Sequence, residues 1–439
     1  MADNTNEKYE VGDLVKVVTK KATEEGVLMP SSEEDVIIIK LDTGYNTGFD
    51  KKDVNEVELV KKKEVKEIHE KEPSKKEGLP VIAVLHTGGT IASKVDYSTG
   101  GVIAKFSASD LIEMVPEIEK VANIETEIVS NLMSEDIMFK DYKKIAEGIK
   151  KYVEKGVKGI IIGHGTDTLA YTAAALSFMF ENLNIPVLLV GSQRSPDRGS
   201  SDAAMNLICA AEFIAQTDFV GVASCLHYTA SDDKCAIISG TRARKMHTSR
   251  RDAFQAINDS PIALVDYKSR KVEYLKENYV KNIGDSGEKE NELILRDNLS
   301  DKVALMKTYP NIDSKQFQFF ADNYDAIVIE GTGLGHAPTN VGDNLKNYKI
   351  LKDFIAKGGI VAITSQCLFG QVHPYVYTNL RRLFDIGCVF CKDMIPETTY
   401  IKLAWLLGNY KTEETKKLLV TNLRGEINDR LSYEDEFVK

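Results

Sequence analysis

A chain of 439 residues is longer than one hydrophobic core usually supports, so two or three domains are expected. With 43% hydrophobic and 28% charged residues, it has the balance of an ordinary soluble globular protein. A formal net charge of −10 argues against a broad grip on nucleic acid by this chain itself, so any RNA would be held mainly by another subunit. No apolar run approaches the roughly 20 residues that a membrane helix needs. The opening MADNTNEKYEVGD is acidic and polar rather than basic and then apolar, and a cytoplasmic location is expected.

In chain order, residues 1–60 read as a small N-terminal β domain. Val15 and Val17 alternate with polar neighbours, Val36-Ile37-Ile38-Ile39 is rich in β-branched residues, and Asp42-Thr-Gly44-Tyr45-Asn-Thr-Gly48 supplies hairpin turn chemistry. A compact SH3-like β-barrel fits this pattern. Residues 61–78 form a charged linker, with 12 of the 17 residues from Lys61 to Glu77 charged.

From Leu79 the texture changes to apolar strands alternating with amphipathic helices, the mark of an α/β domain with a mostly parallel sheet, assigned here to residues 79–270. Val81 to Leu85, Val157 to Ile162, Val187 to Val190 and Phe219 to Ala223 are strands. Phe139, Tyr142, Ile145, Ile149 and Tyr152 mark one face of a helix. Residues 271–302, with Gly284-Asp-Ser-Gly287 in a polar stretch, read as a connection. A second, smaller α/β unit over 303–439 has strands near Val303 to Met306, Ala326 to Ile329 and Ile360 to Thr364.

Six scattered cysteines do not make a disulfide framework. The one close pair, Cys388 and Cys391, lacks a partner pair or histidine at zinc spacing, and its strand-like surroundings suggest buried thiols. No metal site is expected.

In open α/β sheets ligands bind at the carboxyl ends of the strands, and three segments there stand out. The first is His86-Thr87-Gly88-Gly89-Thr90-Ile91. Its glycine pair is either a tight turn or a close approach to a small polar substrate; it lacks the Gly-Lys-Ser/Thr ending of a phosphate loop. The second is Gly163-His164-Gly165-Thr166-Asp167-Thr168, where Asp167 or Thr168 caps the following helix, contacts a substrate, or both. The third is Gly240-Thr-Arg-Ala-Arg-Lys245-Met-His-Thr, either a solvated basic loop around Arg242, Arg244, Arg250 and Arg251 or the seat of a catalytic amine. A threonine hydroxyl attacks only when a nearby base accepts its proton, and a lysine serves when its surroundings favour the free amine.

In this order and spacing, His86-Thr-Gly-Gly-Thr-Ile-Ala92, Ser134-Glu135-Asp136, Gly163-His-Gly-Thr-Asp-Thr168, Val190-Gly-Ser-Gln-Arg194, Lys245-Met-His-Thr248 and Glu330-Gly-Thr-Gly-Leu-Gly335 resemble the asparaginase/glutaminase family. The match runs from about Leu79 to near the C-terminus. The resemblance implies a two-domain asparaginase-like core. It implies Thr90 as nucleophile, with Thr166 kept as an alternative, and a mobile lid Ser93 to Gly101 containing Tyr97. It further implies a cluster of Thr166, Asp167 and Lys245, in which Lys245 and Thr166 relay a proton and Asp167 binds the substrate α-amine. Ser134 would hold the α-carboxylate, and backbone N–H groups of Gly89, Thr90 and Thr166 would face the oxyanion, with Gly165 beside them. Glu135 stands where many free asparaginases have Gln, which bears on the choice of asparagine over glutamine.

Free asparaginases begin almost directly at the Thr-Gly-Gly-Thr strand, whereas roughly eighty residues precede it here. A β domain and charged linker in front of the core resemble the ammonia-releasing subunits of archaeal glutamyl-tRNA(Gln) amidotransferases. That likeness implies release of ammonia from glutamine or asparagine, with no cofactor in this chain. It also implies a homodimer and a second, partner subunit of the amidotransferase that binds Glu-tRNA(Gln), ATP and Mg²⁺. Two other readings are a free L-asparaginase with an accessory domain, and a non-catalytic scaffold whose β domain binds RNA or protein.

Overall fold

The computed structural model describes residues 9–31, 35–43, 45–62, 75–88, 94–95, 102–103, 111–112, 114–194, 199–282 and 292–431. In β1 (Leu14–Thr19) the alternating Val15 and Val17 turn to one side and are fully buried. The strands β2 (Thr23–Met29), β3 (Val36–Lys40), β4 (Asn46–Asp50) and β5 (Val54–Lys61) complete an antiparallel sheet in the order β4-β3-β2-β1-β5. Leu28 and Ile39 close its small core. Gly44 of the expected β3–β4 hairpin turn lies outside the described residues, as does most of the charged stretch after β5.

The larger unit starts at β6 (Val81–His86), whose apolar run is buried because neighbours cover both faces of a parallel strand. Beside it lie β7 (Asn123–Ile128), β8 (Gly159–Gly163), β9 (Pro186–Val190) and β10 (Gly221–His227), all parallel. The chain then adds β11 (Lys234–Ser239), a separate hairpin of β12 (Ala243–Lys245) and β13 (Phe254–Ala256), β14 (Ala263–Asp266) and β15 (Val272–Tyr274). Strands β11, β14 and β15 extend the sheet antiparallel, giving the order β15-β14-β11-β10-β9-β8-β6-β7. The first residues of the expected 271–302 connection are therefore a sheet strand, and its Gly284 to Gly287 lie outside the described residues.

Among the described residues this sheet is covered by α1 (Phe139–Glu154), α2 (Leu169–Met179) and α3 (Ala203–Gln216). Helix α2 is apolar on nearly every side because it is covered on both flanks. Its second cover is the C-terminal unit, a parallel sheet of β16 (Val303–Lys307), β17 (Ala326–Gly331), β18 (Ile360–Ser365) and β19 (Val389–Phe390). Helices α4 (Ser314–Asn323), α5 (Leu345–Ala356), α6 (Thr378–Asp385), α7 (Pro396–Asn409) and α8 (Thr412–Leu419) complete it. Trp405 of α7 stacks on Phe178 of α2 at 5.7 Å between ring centroids, within one apolar cluster that spans both units.

Cys388 and Cys391 are buried, and burial pushes both thiols up to about 12, which suits packing rather than chemistry. None of the described helices is long and apolar enough to cross a membrane.

Candidate active site

Strand β6 is flanked by β7 on one side and β8 on the other, so the chain switches direction across the sheet between β6 and β8. A crevice opens at such a switch point, outside the carboxyl ends of the strands. Both leading motifs leave the sheet there. Thr87 donates its backbone N–H and its hydroxyl to Gly163 O, at 3.1 and 3.0 Å. Gly88 has φ +105, and a Cβ on it would lie 2.6 Å from Leu132 N, so only glycine fits before Gly89 and Thr90.

The second loop packs against the same segment, with Gly165 pressed against Ser134: a Cβ there would meet Ser134 Oγ at 2.8 Å. Ser134 is buried in a short 3₁₀ turn with the exposed Glu135 and Asp136. Thr168 occupies the N-cap position of α2, but its side chain makes no cap bond. Its hydroxyl instead donates to Ser134 O at 2.6 Å, tying the two loops together. Asp167 does not cap either; it is 65% exposed and faces an amine.

That amine is Lys245. Its Nζ donates to Thr166 Oγ1 at 2.9 Å and to Asp167 Oδ1 at 2.7 Å, with only 15% of the side chain exposed. Lys245 itself ends β12 and is turned inward, while Met246 to Arg250 after it are exposed; the four surrounding arginines are each paired with a carboxylate. Arg242 meets Asp393, Arg244 meets Glu397, Arg250 meets Asp252 and Arg251 meets Asp232.

Two supports behind the cluster have no counterpart in the sequence reading. His164 is fully buried, with Nδ1 2.6 Å from Gly165 O and Nε2 2.8 Å from Thr172 Oγ1. A carbonyl only accepts, so Nδ1 carries the proton and Nε2 accepts from the hydroxyl. Burial lowers the pKa of this ring to about 4, keeping it neutral and able to hold both bonds. The second support is Asp202, whose buried carboxylate accepts from Gln193 N and Arg194 N, each at 3.0 Å, and from Ser192 Oγ at 3.1 Å. It shapes the loop that starts at Gly191, where a Cβ would lie 2.7 Å from Thr166 Cγ2.

Comparison with known proteins fits this geometry. Residues 81–279 match the family described as asparaginase, N-terminal, and residues 302–419 match the glutaminase/asparaginase C-terminal domain. Residues 9–60 match the GatD N-terminal domain. The GatD subunit of the Pyrococcus furiosus glutamyl-tRNA(Gln) amidotransferase is 45% identical, covering 95% of each chain. Its counterpart from Methanococcus maripaludis is 43% identical over 97% of this chain and 100% of its own. The chain belongs to the GatD family of glutamyl-tRNA(Gln) amidotransferase subunits.

Within the GatD family the core keeps its asparaginase shape. The thermostable L-asparaginase of Thermococcus kodakarensis aligns with a TM-score of 0.71 and 34% identity, covering 80% of this chain and all of its own. L-asparaginase I of Vibrio cholerae aligns at 0.68 with 28% identity, again over 80% of this chain. Among the described residues the structure brings Thr166, Asp167 and Lys245 into contact, and packs Ser134 and Gly165 beside them. Glu135 sits exposed at the edge, while Gly89, Thr90 and Tyr97 lie outside the described residues. Also among the described residues, no three of His, Cys, Asp and Glu gather as a metal site.

Proposed function

We infer that this chain is the amidohydrolase subunit of a glutamyl-tRNA(Gln) amidotransferase, releasing ammonia from an amino-acid amide for transfer to Glu-tRNA(Gln). The observation that carries this is the Lys245 amine in contact with the Thr166 hydroxyl and the Asp167 carboxylate at the sheet's crevice, in a chain of this family. A free asparaginase with an accessory domain fits less well. The asparaginase neighbours cover 80% of the chain, whereas the Pyrococcus furiosus GatD subunit covers 95%, the N-terminal β domain included.

Thr90 attacks the side-chain amide carbon while its proton passes to the Thr166–Lys245 pair. Backbone N–H groups of Gly89 and Thr90 stabilise the oxyanion, the C–N bond breaks, and the proton leaves with ammonia. Water then hydrolyses the ester and frees glutamate or aspartate. Asp167 takes the substrate α-amine, Ser134 the α-carboxylate, and Tyr97 belongs to the lid. Glu135 adds a carboxylate at the rim, where it bears on the choice between glutamine and asparagine as ammonia donor. In the cytoplasm two copies of this chain join the tRNA-binding subunit of the amidotransferase, which holds the charged tRNA, ATP and Mg²⁺ and receives the ammonia.

The test is ammonia release from glutamine and asparagine, with and without that tRNA-binding subunit and charged tRNA. Partner-stimulated release that prefers glutamine and is lost in Lys245→Ala supports this reading. Fast asparagine turnover by the chain alone, or glutamine-dependent amidation surviving Lys245→Ala, overturns it.

A further inference from the structure

Lys245 ends a strand whose other long side chains reach out of the unit that carries it. Alternation along β12, continued to Arg242 just before it, turns Arg242 and Arg244 to one side and Lys245 to the other. Arg242, 1% exposed, donates Nε to Gly425 O and Nη1 to Asp393 Oδ2, each at 2.8 Å. Asp393 is held in turn by Asn428, through the backbone N–H at 3.0 Å and Nδ2 at 2.9 Å. The backbone before the strand is also bound across the boundary, with Thr398 Oγ1 donating to Thr241 O at 2.9 Å and Thr241 Oγ1 to Arg424 O at 3.2 Å. Arg244, adjacent to Lys245, meets the Glu397 carboxylate at 2.7 Å.

We propose that Glu397 of the C-terminal unit is a positioning residue for Lys245: by fixing Arg244 it sets the place of β12 from which the amine reaches Thr166 and Asp167. The proposal rests on the relay role given to Lys245 above. Glu397 opens helix α7 directly after Pro396, so its carboxyl is carried on a rigid element; burial pushes its pKa up, and the Arg244 guanidinium beside it favours the charged form. The same helix is packed against α2, which begins immediately after Thr168. One helix of the C-terminal unit thus holds the amine's strand through Glu397 and the threonine's helix through its apolar face. The lysine contacts are charge-assisted, and a displacement of about 1 Å at such a site costs on the order of a hundredfold in rate. Glu330, Lys307 and Tyr171 share the boundary, and Lys307 Nζ lies 3.4 Å from Glu330, which leaves Glu397 as the acid on Arg244.

The experiment compares the full-length chain with Glu397→Gln, Arg244→Lys, the double variant and Lys245→Ala, each with the tRNA-binding subunit and charged tRNA, assaying ammonia release from glutamine well below each melting temperature. Positioning predicts that kcat falls about tenfold or more in Glu397→Gln with KM within about threefold, that Arg244→Lys does the same, and that the double is no worse than either single. If Glu397→Gln does not fold, Arg244→Lys decides. A lowered melting temperature with kcat of the folded protein unchanged, or losses that multiply in the double variant, would overturn the proposal. Lys245→Ala separates the two readings. If it keeps the full rate, the relay falls and the positioning role with it; if it is inactive while Glu397→Gln turns over normally, only the positioning role fails.

Discussion

Removing the amine of Lys402 should unfold the C-terminal unit far more readily than its distance from the crevice suggests. Lys402 and Glu426 are both 0% exposed, with Nζ 2.5 Å from the carboxylate. Lys402 also donates to Leu419 O at 3.1 Å and Thr421 O at 2.6 Å, while Glu426 accepts from Leu423 N at 3.0 Å and Arg424 N at 2.6 Å. In Lys402→Met the carboxylate keeps its backbone donors but loses its counter-charge, and two carbonyls lose their donor. Breaking a buried pair from one side costs about 3–5 kcal/mol, a large part of a typical domain's total of about 5–15. Trp405, the only tryptophan, lies one helical turn further along α7 and is buried, so its emission reports the melting of this region directly. Urea unfolding followed at Trp405 should show that loss in Lys402→Met. The double variant with Glu426→Gln should cost at least about 2 kcal/mol less than the sum of the singles. A loss under about 1 kcal/mol, or strict additivity, would refute the idea that the two charges depend on each other.

Two further outcomes follow from the crevice and its supports. Burial lowers the pKa of His164 and of His86 from 6.5 to about 4. The folded state therefore binds fewer protons than the unfolded chain between those pH values, and stability is intact above pH 6.5 and falls as pH drops towards 4. Each pH unit of that gap is worth about 1.4 kcal/mol per histidine, so urea midpoints should drop clearly from pH 7 to pH 5, and His164→Gln should flatten the drop; equal slopes in the two proteins would contradict this. Gly165→Ala places a methyl group 2.7 Å from Ser134 Cβ. Overpacking of about 1–3 kcal/mol should move Ser134 and raise KM about tenfold while the chain stays folded, and an unchanged KM would remove Ser134 from the substrate's surroundings.

The parallel strands were legible in the sequence because strands covered on both faces appear as unbroken apolar runs, as at Val81 to Leu85 and Val187 to Val190. Strands β11, β14 and β15 escaped notice for different reasons: β15 is a three-residue polar strand at the sheet's edge, β14 has only four residues, and β11, though buried, joins the sheet antiparallel, outside the alternation of parallel strands and helices. Thr166, Asp167 and Lys245 could be picked out because each sits in a motif, and the structure puts them in contact. Asp202, Glu397 and Asp393 could not. Glu397 and Asp393 are single carboxylates whose partners are fixed only by the fold, with Arg244 and Glu397 153 residues apart and Arg242 and Asp393 151 apart; Asp202 takes backbone donors of a loop eight and nine residues back, which follows no recurring pattern. Local propensity also misread Thr168, whose hydroxyl bridges to Ser134 where a cap bond is the usual use.

The anchoring of β12 bears on the order in which the polypeptide is made. Arg242 waits for groups 151 and 183 residues downstream, at Asp393 and Gly425. Synthesis proceeds from the N-terminus, so a ribosome-bound nascent chain exposes both Thr166 and Lys245 long before the brace for β12 has emerged. A chain truncated before Asp393 would carry Thr166 and Lys245 without the groups that hold β12.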